Sequence, residues 1–284
     1  MMAASAKIAV SSVVRSFYRA LLLREPDEPG LRAYVDAITG GSMTLEESLA
    51  TFLASNEFRH VAKRLLPRLA GSDYARFTND HSQYGELGIL LRHWIDDVAR
   101  HRIVVDVGAR GRIGSNSYDL LKEFGWRGLL IEANPALIDL IHAEFAGLDY
   151  ELLNVAVSDY DGRATLHIGV NDDVSSLDAE ASLGWGAIRG TVSVDVKQLG
   201  PLLRGRGIPS DFDLLSLDIE GEDVKVLNDL IGHDFYRPRW IIIEASYDYQ
   251  TKSLDDLQLT GAVKSSYRIV GQTPANLILK RTSE

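Results

Sequence analysis

The chain has 284 residues, with 40 acidic against 30 basic side chains (net charge −10), 45% hydrophobic residues and no cysteine. That is the composition of an ordinary globular chain, with room for one large domain or a medium one plus a small one. It excludes disulfides, thiolate catalysis and cysteine-based metal sites, and its negative balance disfavours a nucleic-acid partner. No apolar run approaches the roughly 20 residues that span a bilayer. MMAASAKIAV lacks the apolar core of a secretion signal, so the expected compartment is the cytoplasm.

From about Ser5 to Leu69 the pattern is helical. SSVVRSFYRALLL places Val13, Val14, Phe17, Tyr18 and Leu21 at three-and-four spacing, which predicts an amphipathic helix, and REPDEPG stops it. LRAYVDAI reads as a second helix closed by Gly40 and Gly41. Thr44 with Glu47 predicts a capping box at the start of a third, LEESLATFLA, and Asn56 is the expected cap of a fourth. Arg59, Lys63, Arg64 and Arg68 read as a solvated basic face. The turn Arg24-Glu25-Pro26-Asp27 reads as a helix–helix connector before a binding surface.

The stretches FYRALLLREPDEPGLRAYVDAI and LEESLATFLASNEF resemble the bacterial helical domain of unknown function 4214. That resemblance implies a helical module at residues 1–70 and no agreed chemistry. Docking or self-association is the role expected of it. Residues 71–80, GSDYARFTND, are the expected linker, and 81–284 the second domain.

From Ile103 onward apolar strands alternate with amphipathic stretches: IVVDV, GLLIEA, YELLNVAV, FDLLSLD and WIIIEA. This predicts an α/β fold with a doubly wound parallel sheet covered on both faces. TLHIGV and TVSVDV predict a local β insertion, and YRIV and ANLILK an antiparallel edge hairpin around Gly271-Gln272-Thr273-Pro274.

Ligands of such sheets sit at the carboxyl ends of the strands. After IVVDV the glycines fall at 108, 111 and 114, a G-x-x-G-x-x-G spacing that departs from the dinucleotide fingerprint G-x-G-x-x-G. Asp106 would repel a pyrophosphate but suits a donor carrying an amino group and a sulfonium, as S-adenosylmethionine does. Glu132, ending the second strand, is placed to accept hydrogen bonds from ribose hydroxyls. Asn154 through Asp159 offer polar groups to an adenine edge. SLDIEGED brings Asp218, Glu220, Glu222 and Asp223 to the end of the fourth strand. Glu222 and Asp223 are expected to favour the dipole of the next helix. Asp218 and Glu220 are expected to face the cleft, where one could serve as base for a reacting hydroxyl. With no histidine near these acids, no metal site is expected.

The order VVDVGARGRIGSNSYDLLKEFGWRGLLIEANP, NVAVSDYDGRATLHI, DLLSLDIEGEDVKVL and YRIVGQTPANLILK resembles the FkbM family of S-adenosylmethionine-dependent methyltransferases over about residues 81–281. HSQYGELGILL resembles the helix that precedes the fold in that family. The resemblance implies a Rossmann-like seven-stranded sheet. It implies a donor site of Asp106, Gly108, Ala109, Gly111, Asn116, Glu132 and Asp159, with Asp218 and Glu220 facing the substrate. The implied reaction is O-methylation of a sugar, glycan or related bacterial metabolite. Arg110 and Arg112 depart from the family pattern around the glycines, and Leu87 follows Glu86 where an aspartate is common. Two other readings stand beside this one: an NAD-dependent oxidoreductase on a Rossmann-type fold, and a non-catalytic scaffold. Trp185, Tyr247 and Tyr249 are candidates for stacking on a sugar.

Overall fold

The computed structural model describes residues 2–59, 61–62, 80–93, 95–170, 175–179, 183, 186–245 and 250–282. The chain divides into two compact units, Met1–Thr78 and Asn79–Glu284. The expected linker lies outside the described residues except for Asp80, as do Lys63, Arg64, Arg68, Trp185, Tyr247 and Tyr249.

The first unit is helical: α1 (Met2–Leu21), α2 (Glu28–Thr39) and α3 (Leu45–Ala54). Val14 and Tyr18 of α1, Leu31 and Val35 of α2 and Phe52 of α3 are buried together, each helix contributing one apolar stripe. The Arg24-Glu25-Pro26-Asp27 turn is tied down by its own side chains. Arg24 pairs with Glu57 and lies 4.9 Å from the centre of the Tyr18 ring. Asp27 caps α2 by accepting from the Gly30 amide at 2.7 Å. The capping box on α3 is complete, Thr44 Oγ1 accepting from the Glu47 amide and Glu47 from the Thr44 amide. Residues 56–59 turn helical again, but the cap is Ser55 rather than Asn56: Ser55 Oγ accepts from the Phe58 amide at 3.0 Å. A serine and an asparagine side by side both suit that position, so composition alone does not choose between them.

The second unit opens with α4 (Glu86–Arg92) and α5 (Ile95–Val98). The alternating part follows: β1 (Ile103–Val107), α6 (Tyr118–Phe124), β2 (Arg127–Ile131), α7 (Ile138–Glu144) and β3 (Tyr150–Leu153). Next come β4 (Ala156–Ser158), β5 (Gly162–Gly169), β6 (Ser175–Ser176) and β7 (Ile188–Gln198). The chain closes with α8 (Leu199–Gly205), β8 (Leu214–Leu217), α9 (Asp223–Gly232), β9 (Trp240–Glu244), α10 (Gly261–Ser266), β10 (Tyr267–Gln272) and β11 (Asn276–Arg281). Seven strands form one mixed sheet in the order β10-β11-β9-β8-β1-β2-β3. The five from β3 to β9 run parallel, and β11 is antiparallel to both of its neighbours, β9 and β10.

YELLNVAV is not one strand. It breaks at Asn154-Val155, leaving β3 in the large sheet and sending β4 into a second sheet of order β4-β7-β5-β6. The break has a physical cause: Asn154 Nδ2 donates to the carbonyls of Glu132 and Ala133, at 2.8 and 3.2 Å. This diverts the chain from the β2 edge. The insertion segments pair with each other as the antiparallel ladder β5–β7.

Alternation divides the two faces of the large sheet. Val105, Val107, Leu215, Leu217, Ile241 and Ile243 pack on one side with α8, α9 and α10. Asp106, Ser216 and Glu244 fall on the other, because Asp106 is level with Ser216 and Ser216 with Ile242, two residues before Glu244. Among the described residues no helix is long and apolar enough to cross a membrane.

Replacing Thr44 with alanine removes half of the α3 capping box and is expected to cost about 1 kcal/mol. Hydrogen exchange in the first turn of α3 should then accelerate about fivefold, with exchange in the second unit unchanged.

Candidate active site

Two clefts open along the carboxyl edge of the parallel strands and meet at Gly108, Arg110, Asp218 and Glu220. The narrower one is walled by apolar side chains, among them Leu137, Val157, Leu166 and Leu177, with Glu132 at its floor. The wider, about 540 Å³, is lined by polar and acidic groups, including His81, Asn116, Ser216 and Glu244.

Gly108 makes this junction possible. Its φ is +89°, and a Cβ there would overlap the carbonyl oxygen of Asp218. Any other residue would push the loops after β1 and β8 apart. The Gly108 and Ala109 amides both donate to the Ile131 carbonyl, at 2.9 and 3.1 Å, which draws the β2 end into the same place. The sequence-predicted Asp106, Gly108, Glu132, Asp218 and Glu220 are thereby brought together with Ala109, Gly111 and Asn116. Asp159 stands apart: its side chain is exposed, outside the lining of either cleft, with Lys225 Nζ 3.8 Å away.

The buried carboxyls differ in how they are held. Asp106 accepts from Ser117 Oγ at 2.5 Å, and its proton affinity is raised by burial against the pull of Ser117 and Ser216. Glu132 is 7% exposed and accepts from the Asn134 amide at 2.6 Å. Burial pushes its carboxyl up to about 7, with the Asp106 charge adding to the rise. Asp218 is pushed well above the carboxylate range, by burial first and then by Glu244, Asp223 and Asp106. Asp223 does more than favour a helix dipole: it accepts from the Ile219 and Gly221 amides at 3.1 and 3.2 Å, clamping the Asp218–Gly221 loop. In that loop Glu220 adopts a left-handed φ of 54°. Glu222 turns the other way, accepting from Ser158 Oγ at 2.5 Å and from Lys225.

One acid was not singled out by sequence. Glu244 ends WIIIE on β9 and brings a carboxyl oxygen to within 4.8 Å of oxygens from Asp218 and Glu220. Burial and the Glu220 and Asp223 charges push it up to about 8. The available signal was the same as for Glu132, an acid closing an unbroken apolar strand.

His81, Ser82 and Gln83, just before α4, line the wide cleft, and Glu86 opens that helix behind them. Glu86 is fully buried and accepts from Thr273 Oγ1 at 2.8 Å and Asn276 Nδ2 at 2.9 Å, tying the motif to the β10–β11 turn. His81 Nδ1 lies 2.9 Å from Asp119 Oδ1, and its amide donates to the other oxygen.

Asp223, Glu132 and Glu244, held at about 6, about 7 and about 8, bind protons more tightly in the folded chain than in the unfolded one. The stability they contribute is fully present below the ordinary carboxylate range and is lost as pH rises through these values. The melting temperature should therefore fall between about pH 5 and about pH 9. Glu132→Gln should flatten the middle of that fall. A profile identical to wild type would show that Glu132 ionises without cost.

The methyltransferase FkbM domain matches residues 83–260, and the domain of unknown function DUF4214 matches residues 4–62. No curated protein matches the chain. The FkbM match takes in every strand end that builds the two clefts, from Asp106 to Glu244, and covers more than half of the chain. The chain belongs to the FkbM methyltransferase family.

Proposed function

We propose that this methyltransferase takes its methyl group from S-adenosylmethionine and places it on a hydroxyl of a sugar, glycan or related metabolite. The observation that carries the reading is an apolar cleft lined by Glu132 and an acidic one lined by Asp106, which meet at Gly108, Asp218 and Glu220. The donor has matching parts: a flat base, a ribose diol and an amino-acid end whose ammonium and sulfonium outweigh its carboxylate. Leu137, Val157 and Leu166 suit the base, and Asp159, two residues beyond Val157 in the chain, is proposed to meet its edge. Glu132 suits the diol. Asp106, Ala109, Gly111 and Asn116 suit the amino-acid end.

The donor, when bound, supplies the methyl group on a cationic sulfur and leaves as a neutral thioether. The chain's part is to hold the acceptor oxygen in line and to take its proton. Asp218 and Glu220 lie where the clefts meet and are the candidate proton acceptors. A carboxyl with raised proton affinity, such as Asp218, is the stronger base once ionised. Arg110 lines both clefts and suits an anionic group on the acceptor.

A dinucleotide fits less well. Its pyrophosphate needs a helix N-terminus directly after the first strand. Here residues 108–117 separate β1 from α6, and the group nearest the turn is a carboxyl. The helical unit is proposed to dock the enzyme on a partner or on a second copy.

Calorimetry tests the reading. S-adenosylhomocysteine should bind and NAD should not. Glu132→Ala should weaken S-adenosylhomocysteine at least about tenfold, since hydrogen bonds to a charged group contribute about 1.5–3 kcal/mol each. No heat with either sulfur ligand would overturn it.

A further inference from the structure

We propose that Asp218, Glu220 and Glu244 form a binding site for one hard divalent cation, with Asn116 as its outer neighbour. Each of the three offers a carboxyl oxygen, and these oxygens lie within 4.8 Å of one another. Oxygens bound to a common calcium or manganese ion at up to about 2.6 Å lie at most about 5.2 Å apart, so small side-chain rotations suffice to bring all three onto one ion. An all-oxygen set with neither histidine nor cysteine selects magnesium, calcium or manganese over zinc or copper.

The acids do not stand alone in this. Asn116 is 7% exposed and lines the same cleft as the three carboxyls. Its Nδ2 donates to Ser216 Oγ at 3.1 Å, and its Oδ1 is buried with no donor. Ser216 precedes Asp218 by two residues on the same strand course, so Asn116 stands next to the acids along the sheet. A buried carbonyl oxygen left without a donor is costly. A cation, directly or through one of the waters that magnesium retains, satisfies both this oxygen and the carboxyl charges.

The elements place the site where a cation is useful. Asp218 and Glu220 lie at the junction of the two clefts, and Glu244 lines the wide one. A cation there would hold an acceptor through its oxygens, favouring one with neighbouring hydroxyls. That use rests on the methyl-transfer reading, whereas cation binding does not.

The test is a titration of Mn²⁺ into the full chain in the absence of donor, read by the electron paramagnetic resonance of free Mn²⁺. One site per chain is expected, with competition by Mg²⁺. Glu244→Gln should weaken Mn²⁺ at least about tenfold, and Glu244→Asp should recover part of the loss. Mn²⁺ should raise the melting temperature of wild type but not of Glu244→Gln. In EDTA Glu244→Gln should melt cooperatively, which shows that the variant folds. No binding up to about 5 mM Mn²⁺, or equal binding by wild type and Glu244→Gln, overturns the proposal. If Glu244→Gln weakens S-adenosylhomocysteine in EDTA while wild type binds no Mn²⁺, the acids hold the donor's ammonium. That result overturns the cation site and leaves the methyl-transfer reading standing. Mn²⁺ binding without S-adenosylhomocysteine binding does the reverse.

Discussion

Parallel strands point their carboxyl ends the same way, and in this chain four neighbouring ones, β2, β1, β8 and β9, carry acids there: Glu132, Asp106, Asp218 and Glu244. The sheet brings these groups side by side, Asp106 and Glu132 buried and Asp218 and Glu244 half-buried at the clefts. Two ionised oxygens within 4.8 Å of one another repel by at least about 3 kcal/mol at an effective dielectric constant of about 20. Protons or a cationic ligand must relieve that repulsion. The raised proton affinities of Glu132, Asp218 and Glu244 are the first kind of relief. A positively charged occupant is the second, and it turns an energetic cost of the empty site into selectivity for what fills it.

Crowding of this kind needs a stiff frame. Gly108 allows the β1 and β8 loops to touch, and Asp223 clamps the loop that carries Asp218 and Glu220 through two backbone amides. Asn154 fastens the carbonyls beside Glu132, and Ser158 fastens Glu222. These polar side chains brace the walls of the clefts, which is why Asn154 and Ser158 have their hydrogen-bonding groups committed within the protein.

Strand existence was readable because buried parallel strands are long apolar runs with abrupt ends, as IVVDV and WIIIE are. The same feature exposes Asp106 and Glu132 as strand-end acids. Glu244 escaped because its neighbours carry no glycine turn or acidic repeat, and only the sheet order reveals that β9 lies beside β8. The break inside YELLNVAV was hidden for a similar reason, since it depends on the Asn154 contact with a strand 22 residues earlier. The choice of Ser55 over Asn56 as cap shows only in the hydrogen bond that Ser55 Oγ accepts from the Phe58 amide. Asp159 is exposed, as a turn residue at a strand end can be, because alternation decides the face and a turn resets it.

The upstream HSQYGE segment gains its meaning from the far end of the chain. Glu86 is an acid with no exposure, which is tolerable only because Thr273, Asn276 and the Tyr84 amide all donate to it. Gln83 accepts from the same Asn276, at 3.1 Å. The two segments, nearly 190 residues apart, therefore constrain each other: without Glu86 the turn at Thr273 loses its acceptor, and without that turn Glu86 is a buried charge among acids. Ser82 in turn bridges to Gly114, inside the glycine loop. The upstream helix thus works as a brace that spans from the edge hairpin to the loop after β1. It fixes the outer wall of the acidic cleft, and the chemistry is left to the strand ends.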